Sequence, residues 1–154
     1  MNFTPVGDMN LVYVGPAVTY IDYGAGGQFY AHMEGTLDGP RLRGTLRLTN
    51  VAVKRPDDIN MPALRGTLET HDGVTCYVEM NGMAVARHGG REFVTSMTLR
   101  TSDPRYDWVN TQMMVAEGFL QGEPRPHALR ATCRVYACEP TIADDIVGAA
   151  GKTP

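Results

Sequence analysis

Apolar and polar residues alternate with a period of two along most of this chain. In LRGTLRLTN, residues 42 to 50, Leu42, Gly44, Leu46 and Leu48 fall on one face and Arg43, Thr45, Arg47 and Thr49 on the other, the pattern of a strand with one face buried. The letters LRGTL return at 64 to 68, so two strands share one alternation; two copies without a third do not make a solenoid. LVYVGPAVTYIDYG, residues 11 to 24, is rich in β-branched and aromatic residues and is interrupted by Gly15-Pro16, which predicts a bulge or two short strands. GGQFYAHMEG supplies the next strand. THDGVT predicts a hairpin with Asp72-Gly73 in a tight type I′ turn, and VTCYVEM is its return strand. MAVARHGGREFVTSMTLR predicts a strand pair about Gly89-Gly90. TQMMVAEGFLQG and HALRATCRVYAC predict a last pair joined by the polar GEPRP.

These segments make about eight strands, with Gly-rich turns and almost no helical spacing, and so predict an all-β barrel or sandwich; a closed barrel leaves no exposed edge. The expected domain spans residues 1–140. Residues 141–154, TIADDIVGAAGKTP, form a C-terminal tail with weak helical tendency, expected to be mobile or draped on the surface. Its GKT is not a phosphate loop, which needs an earlier glycine and a strand-to-helix turn.

Composition narrows the partners. A chain of 154 residues with 43% hydrophobic and 20% charged residues is ordinary for one globular domain, and no apolar run reaches the ~20 residues that cross a bilayer. A net charge of −3 without a basic stripe argues against nucleic acid. The start, MNFTPVGDMN, has neither a basic nor an apolar leader region, so a cytosolic location is expected. Three cysteines, Cys76, Cys133 and Cys138, lack metal spacing and are expected to be reduced and buried.

The succession GPRLRGTL, KRPDDINMPALRGTLETHDGVTCYVEMNG and TSDPRYDWVNTQMMVAEGF, closing on RVYAC, resembles the family catalogued as domain of unknown function 3237. The likeness runs from about Gly24 to Cys138. It implies a single antiparallel β-barrel of about eight strands, lipocalin-like in its up-and-down order and often assembled as a homodimer, in a family whose activity is largely unassigned. Two stretches depart from the family pattern. Arg55-Pro56-Asp57-Asp58 stands where Asp-Gly usually follows Arg-Pro, and Met33-Glu34-Gly35 stands where paired glycines are common.

Candidate chemistry concentrates in TSDPRYDWVN, residues 101 to 110. Ser102-Asp103-Pro104 initiates a turn, Trp108 offers an apolar face with one N–H donor, and Asn110 can orient a carbonyl or hydroxyl. They are read either as a pocket lining or as a plug in which Trp108 closes one barrel end while Asp103 and Asn110 bond their own backbone. Tyr77 and Glu79 share a strand face, and the hairpin brings Arg65 near them, inside or outside the barrel according to register. Glu117 lies in MMVAEGFL, and its same-face neighbours Met113, Val115 and Phe119 are apolar, which points it inward as a carboxylate of raised pKa. Arg55 and Tyr106 complete the candidate binding set. His32 and Glu34 share a face, but a metal barrel of the cupin kind would need His-x-His. No motif calls for an organic cofactor or a metal, and no nucleophile elbow or dinucleotide fingerprint is present. Met80, Met83, Met97, Met113 and Met114 read as filler of an irregular core.

Three functions stay open. The first is a cofactor-independent lyase, isomerase, hydratase or cyclase acting on a small, partly hydrophobic or aromatic metabolite. In it Glu117, Tyr77 and Glu79 move protons, Arg65 and Asn110 polarise an oxygen, and Trp108 stacks. The second is a non-catalytic carrier or sensor, with an apolar interior and polar groups at the mouth. The third is a scaffold subunit with a packed interior.

Overall fold

A computed structural model describes residues 1–150, and the GKT stretch at 151–153 lies outside the described residues. The elements are β1 (Asn2–Asp22), β2 (Gly27–Asp38), β3 (Arg43–Asn50), β4 (Val53–Lys54), β5 (Asn60–Met61), β6 (Ala63–Thr70), β7 (Thr75–Arg87), β8 (Gly90–Arg100), a 3-10 helix (Pro104–Thr111), β9 (Met114–Gln121), β10 (Arg130–Glu139) and α1 (Ile142–Ala150). Eight strands close an antiparallel barrel in the order β1-β2-β3-β6-β7-β8-β9-β10, with β10 returning to β1. The short β4–β5 hairpin bridges β2 to β7 at one rim.

The repeated LRGTL segments become β3 and β6, which lie side by side with Leu46 opposite Leu68, and both leucines are fully buried. Their glycines stand at close approaches between strands: a Cβ on Gly66 would lie 1.9 Å from the Arg47 carbonyl oxygen. Only glycine permits this tight coiling of the sheet at barrel corners. The break at Gly15-Pro16 is a register shift within one long strand, between Val14 and Thr19. The first ten residues, read from sequence only for the lack of a leader, form the half of β1 that zips to β10 and closes the barrel.

Two turns differ from expectation. Gly73 alone has a positive φ, 87°, and its N–H donates to the Thr70 carbonyl at 3.0 Å, so the turn is centred on His71-Asp72 and is not type I′. The Thr70 hydroxyl holds it by accepting from the Val74 N–H and donating to Asp72. The two positive-φ residues that a type I′ turn needs occur instead at His88 and Gly89, between the paired Arg87 and Gly90.

The barrel has two unlike ends. At one, the 3-10 helix buries Tyr106 and Val109 in the core, with Trp108 partly buried against it. At the other, the β1–β2 and β7–β8 hairpins, the β3–β6 connection and the β9–β10 loop surround an opening. Helix α1 lies after the last strand, with Ile142, Ile146 and Val147 exposed. No helix among the described residues is long and apolar enough to cross a membrane.

Candidate functional site

The segment TSDPRYDWVN forms the plug at the closed end. Asp103 caps the 3-10 helix by accepting from the Arg105 N–H at 3.0 Å, and Pro104 follows at the first helical position, where its missing N–H costs nothing. Asn110 spends its amide locally: Oδ1 accepts from the Thr101 N–H, and Nδ2 donates to the Thr101 carbonyl and to Asp107. Trp108 stacks under the Arg41 guanidinium, 4.1 Å from the ring centre. The Tyr106 hydroxyl donates to Asp72 at 2.8 Å, and this bond joins the Thr70 bond in holding the Asp72 carboxyl below the usual aspartate range. These groups are occupied with one another.

The expected register of Arg65 and Glu79 is present, since the two are paired across β6 and β7 and form an ion pair at 3.0 Å. The cluster lies on the outer face, where Arg100 also binds Glu79 and stacks on the exposed Tyr77. Arg55 is exposed and pairs with Asp57. His32 bonds Thr49, and Glu34 is exposed.

The inward orientation expected for Glu117 is not adopted. Met114 and Ala116 point into the barrel, fully buried, while Glu117 faces outward and accepts from the Tyr136 hydroxyl. Its apolar neighbours misdirect the reading because the outer face here is itself apolar: Val94, opposite Glu117 across the strand pair, is 58% exposed, and Met113 is 46% exposed. All three cysteines are free and buried.

The open end holds a cavity of about 340 Å³, at the lower end of the range of small-molecule sites. Its wall is apolar, with Met9 from β1, Met33 and Phe29 from β2, Met80 from β7 and Phe93 from β8. Against that wall stand a few polar groups. Tyr13 is buried, and its hydroxyl oxygen accepts from Asn50 Nδ2 at 3.0 Å. Asn50 Oδ1 in turn accepts from the Ala63 N–H. Burial raises the Tyr13 pKa against the opposing pull of the Asn50 bond, so the phenol keeps its proton and can donate it. Cys133 lines the same space, with its thiol pushed up by burial to about 12. Thr95 Oγ1 and Asn60 Oδ1 are buried without a hydrogen-bond partner among the described residues.

At the mouth, Arg91 donates to the Asp58 carbonyl at 2.8 Å and to its carboxylate at 3.0 Å. Lys54 joins the same carboxylate at 3.1 Å, and the two cations hold the Asp58 pKa down. Asp58 has a φ of 65°, the left-handed conformation that glycine accepts most readily. Asp58 thus combines a backbone conformation typical of glycine with a carboxylate that anchors Arg91. No Asp, Glu, His or Lys lines the cavity among the described residues, and no group of three His, Cys, Asp or Glu is placed there or elsewhere among them to hold a metal ion.

None of the cavity's polar residues was singled out from sequence. The available signal is a polar residue that continues a buried alternation: Asn50 follows Leu46 and Leu48 inward, and Thr95 precedes Met97 and Leu99 on the same face.

Comparison with protein families matches residues 2–138 to one described as a protein of unknown function (DUF3237). No curated protein matches the chain. Among solved structures, a β-barrel-like protein from Acinetobacter baumannii is 19% identical with a TM-score of 0.76, covering 90% of this chain and 96% of that one. A conserved protein of unknown function from Rhodopseudomonas palustris is 19% identical with a TM-score of 0.73, covering 88% and 96%. A protein described as an enzyme from Penicillium herquei is 18% identical with a TM-score of 0.61, covering 90% and 98%. At these identities the likeness is one of fold.

Proposed function

This chain belongs to the DUF3237 family of proteins of unknown function, and from that premise we propose, on the cavity alone, that it is a small-molecule-binding barrel whose ligand enters at the open end. The observation that carries the reading is a cavity of about 340 Å³ with aromatic and methionine walls and a few inward polar groups. A scaffold barrel would fill this space, because an empty apolar void forfeits packing energy. An enzyme working through paired carboxylates would aim them inward, and here Glu79 and Glu117 face out. Enlarging Ala84, a buried wall residue, to leucine places three more carbons in the cavity. Ala84→Leu should weaken binding of a bicyclic aromatic probe by about tenfold or more with an unchanged circular dichroism spectrum. Unchanged affinity would sink the reading.

A catalytic use of the same cavity is favoured by one observation, that the Penicillium herquei neighbour is described as an enzyme. The group in this barrel suited to proton transfer is Tyr13, protonated, oriented by Asn50 and shielded from water. Under that reading Tyr13→Phe lowers turnover by much more than it weakens ligand binding.

A further inference from the structure

Resting on the cavity reading above, we infer that the ligand is an uncharged ring compound bearing one or more hydroxyl groups, read by Thr95 and Asn60. Both residues line the cavity, and Thr95 is only 1% exposed. The Thr95 Oγ1 and Asn60 Oδ1 atoms are buried without partners among the described residues. Native proteins rarely leave such atoms unpaired, because burying them strips their water and returns nothing. Both atoms belong to residues that line one cavity, and a ligand hydroxyl that shifts the side chains now covering them would supply the missing partner.

The positions of the two residues are related through the sheet. Asn60 pairs with Ala84 of β7, Ala84 pairs with Phe93 of β8, and Thr95 is the next inward residue along β8, opposite Gly82. A hydroxyl suits either atom, since it can donate its proton to the Asn60 carbonyl oxygen or accept from the Thr95 O–H. A hydrocarbon serves neither, and a carbonyl cannot serve Asn60 Oδ1. Tyr13 adds a third point of contact, because its oxygen accepts from Asn50 and its own O–H remains free to donate.

The charge of the wall selects against ions. Arg91 is the only charged residue lining the cavity among those described, and two of its nitrogens are tied to Asp58. An anionic ligand would have to share Arg91 with Asp58, and a cationic one would find no carboxylate. Either would lose its hydration to an apolar wall. Phe29 and Phe93 favour a ring, whose faces and edges they can meet.

Three probes of one shape separate the possibilities: 2-naphthol, naphthalene and 2-naphthoate, measured by equilibrium dialysis at pH 7 against the wild type, Thr95→Val and Asn60→Leu. The wild type should bind 2-naphthol about tenfold more tightly than naphthalene, the equivalent of one well-made hydrogen bond to an otherwise unpaired group. Thr95→Val, which keeps the shape of the side chain, should bring the two within about twofold by weakening naphthol alone. Asn60→Leu should act in the same direction. Equal wild-type affinities for naphthol and naphthalene would overturn the inference while leaving the cavity reading standing. So would a clear preference for 2-naphthoate, which would make Arg91 an anion anchor. Binding of none of the three would overturn the cavity reading and this inference with it.

Discussion

Replacing Thr95 with valine should make the barrel more stable, although it weakens the site. Thr95 lies on β8 with 1% of its surface exposed, its hydroxyl oxygen unpaired among the described residues, and valine keeps its outline while exchanging the hydroxyl for a methyl. An unpaired buried hydroxyl costs about 1–3 kcal/mol, and a further buried methyl contributes roughly 0.8 kcal/mol. Valine also suits a strand at least as well as threonine does. The expected gain is therefore at least about 1 kcal/mol, or a Tm rise of roughly 2–4 °C for a domain of this size. Urea unfolding should show a higher midpoint with an unchanged slope, the mark of altered stability without altered compactness. A midpoint that falls would mean that the Thr95 hydroxyl is satisfied in the unliganded barrel, and the argument from orphaned oxygens would lose its footing. Stability gained together with hydroxyl affinity lost is what a residue retained for binding predicts.

Further predictions address the closed end and the effect of acid. Val109→Ala removes two buried methyl groups from the plug and should cost roughly 2 kcal/mol in urea unfolding; probe affinity should stay unchanged, because Val109 lies at the end opposite the cavity. Asp72 has its pKa lowered in the folded state, first by the Thr70 hydroxyl and then by that of Tyr106. A group depressed on folding stabilises above its unfolded pKa and loses that contribution as pH falls through the folded value, so the urea midpoint should drop as pH falls below about 4. Asp72→Asn should drop less steeply over the same interval, and parallel curves would show that the Thr70–Asp72–Tyr106 contacts contribute nothing to acid stability.

The barrel was legible in the sequence because closure demands a half-buried alternation, and β3 and β6 carry it in the same five letters. Leu42, Leu46 and Leu48 are buried as that alternation requires. The cap of the 3-10 helix was partly legible in Asp103-Pro104. What escaped was the choice between lining a pocket and plugging an end, since both use an aromatic residue flanked by polar ones; only the tertiary position of Trp108 under Arg41 decides it. Strand parity escaped at Glu117 for a related reason. Val94 on the outer face of β8 and Met113 just before β9 are both exposed, so apolar neighbours did not distinguish inside from outside. The polar atoms of the cavity were within reach of the same alternation argument. Asn50 and Thr95 interrupt buried apolar sets, and a buried polar residue is more informative than an exposed cluster of charges. The turn at Thr70–Val74 departs from type I′ because the Thr70 hydroxyl takes the Val74 N–H that such a turn would bond to the His71 carbonyl, and it is itself held by Asp72.

The central claim, that ligands occupy the open end and not the Trp108 end, is tested most directly by a titration of the 13C-methyl-labelled methionines with 2-naphthol. Met9, Met33 and Met80 line the cavity, whereas Met83 and Met113 are exposed elsewhere. The account predicts saturable shifts of the first three methyl signals with a common dissociation constant, and none beyond background for Met113. Shifts confined to Met83 or Met113, with Met9, Met33 and Met80 still, would contradict it by placing the ligand on the outer surface of the barrel.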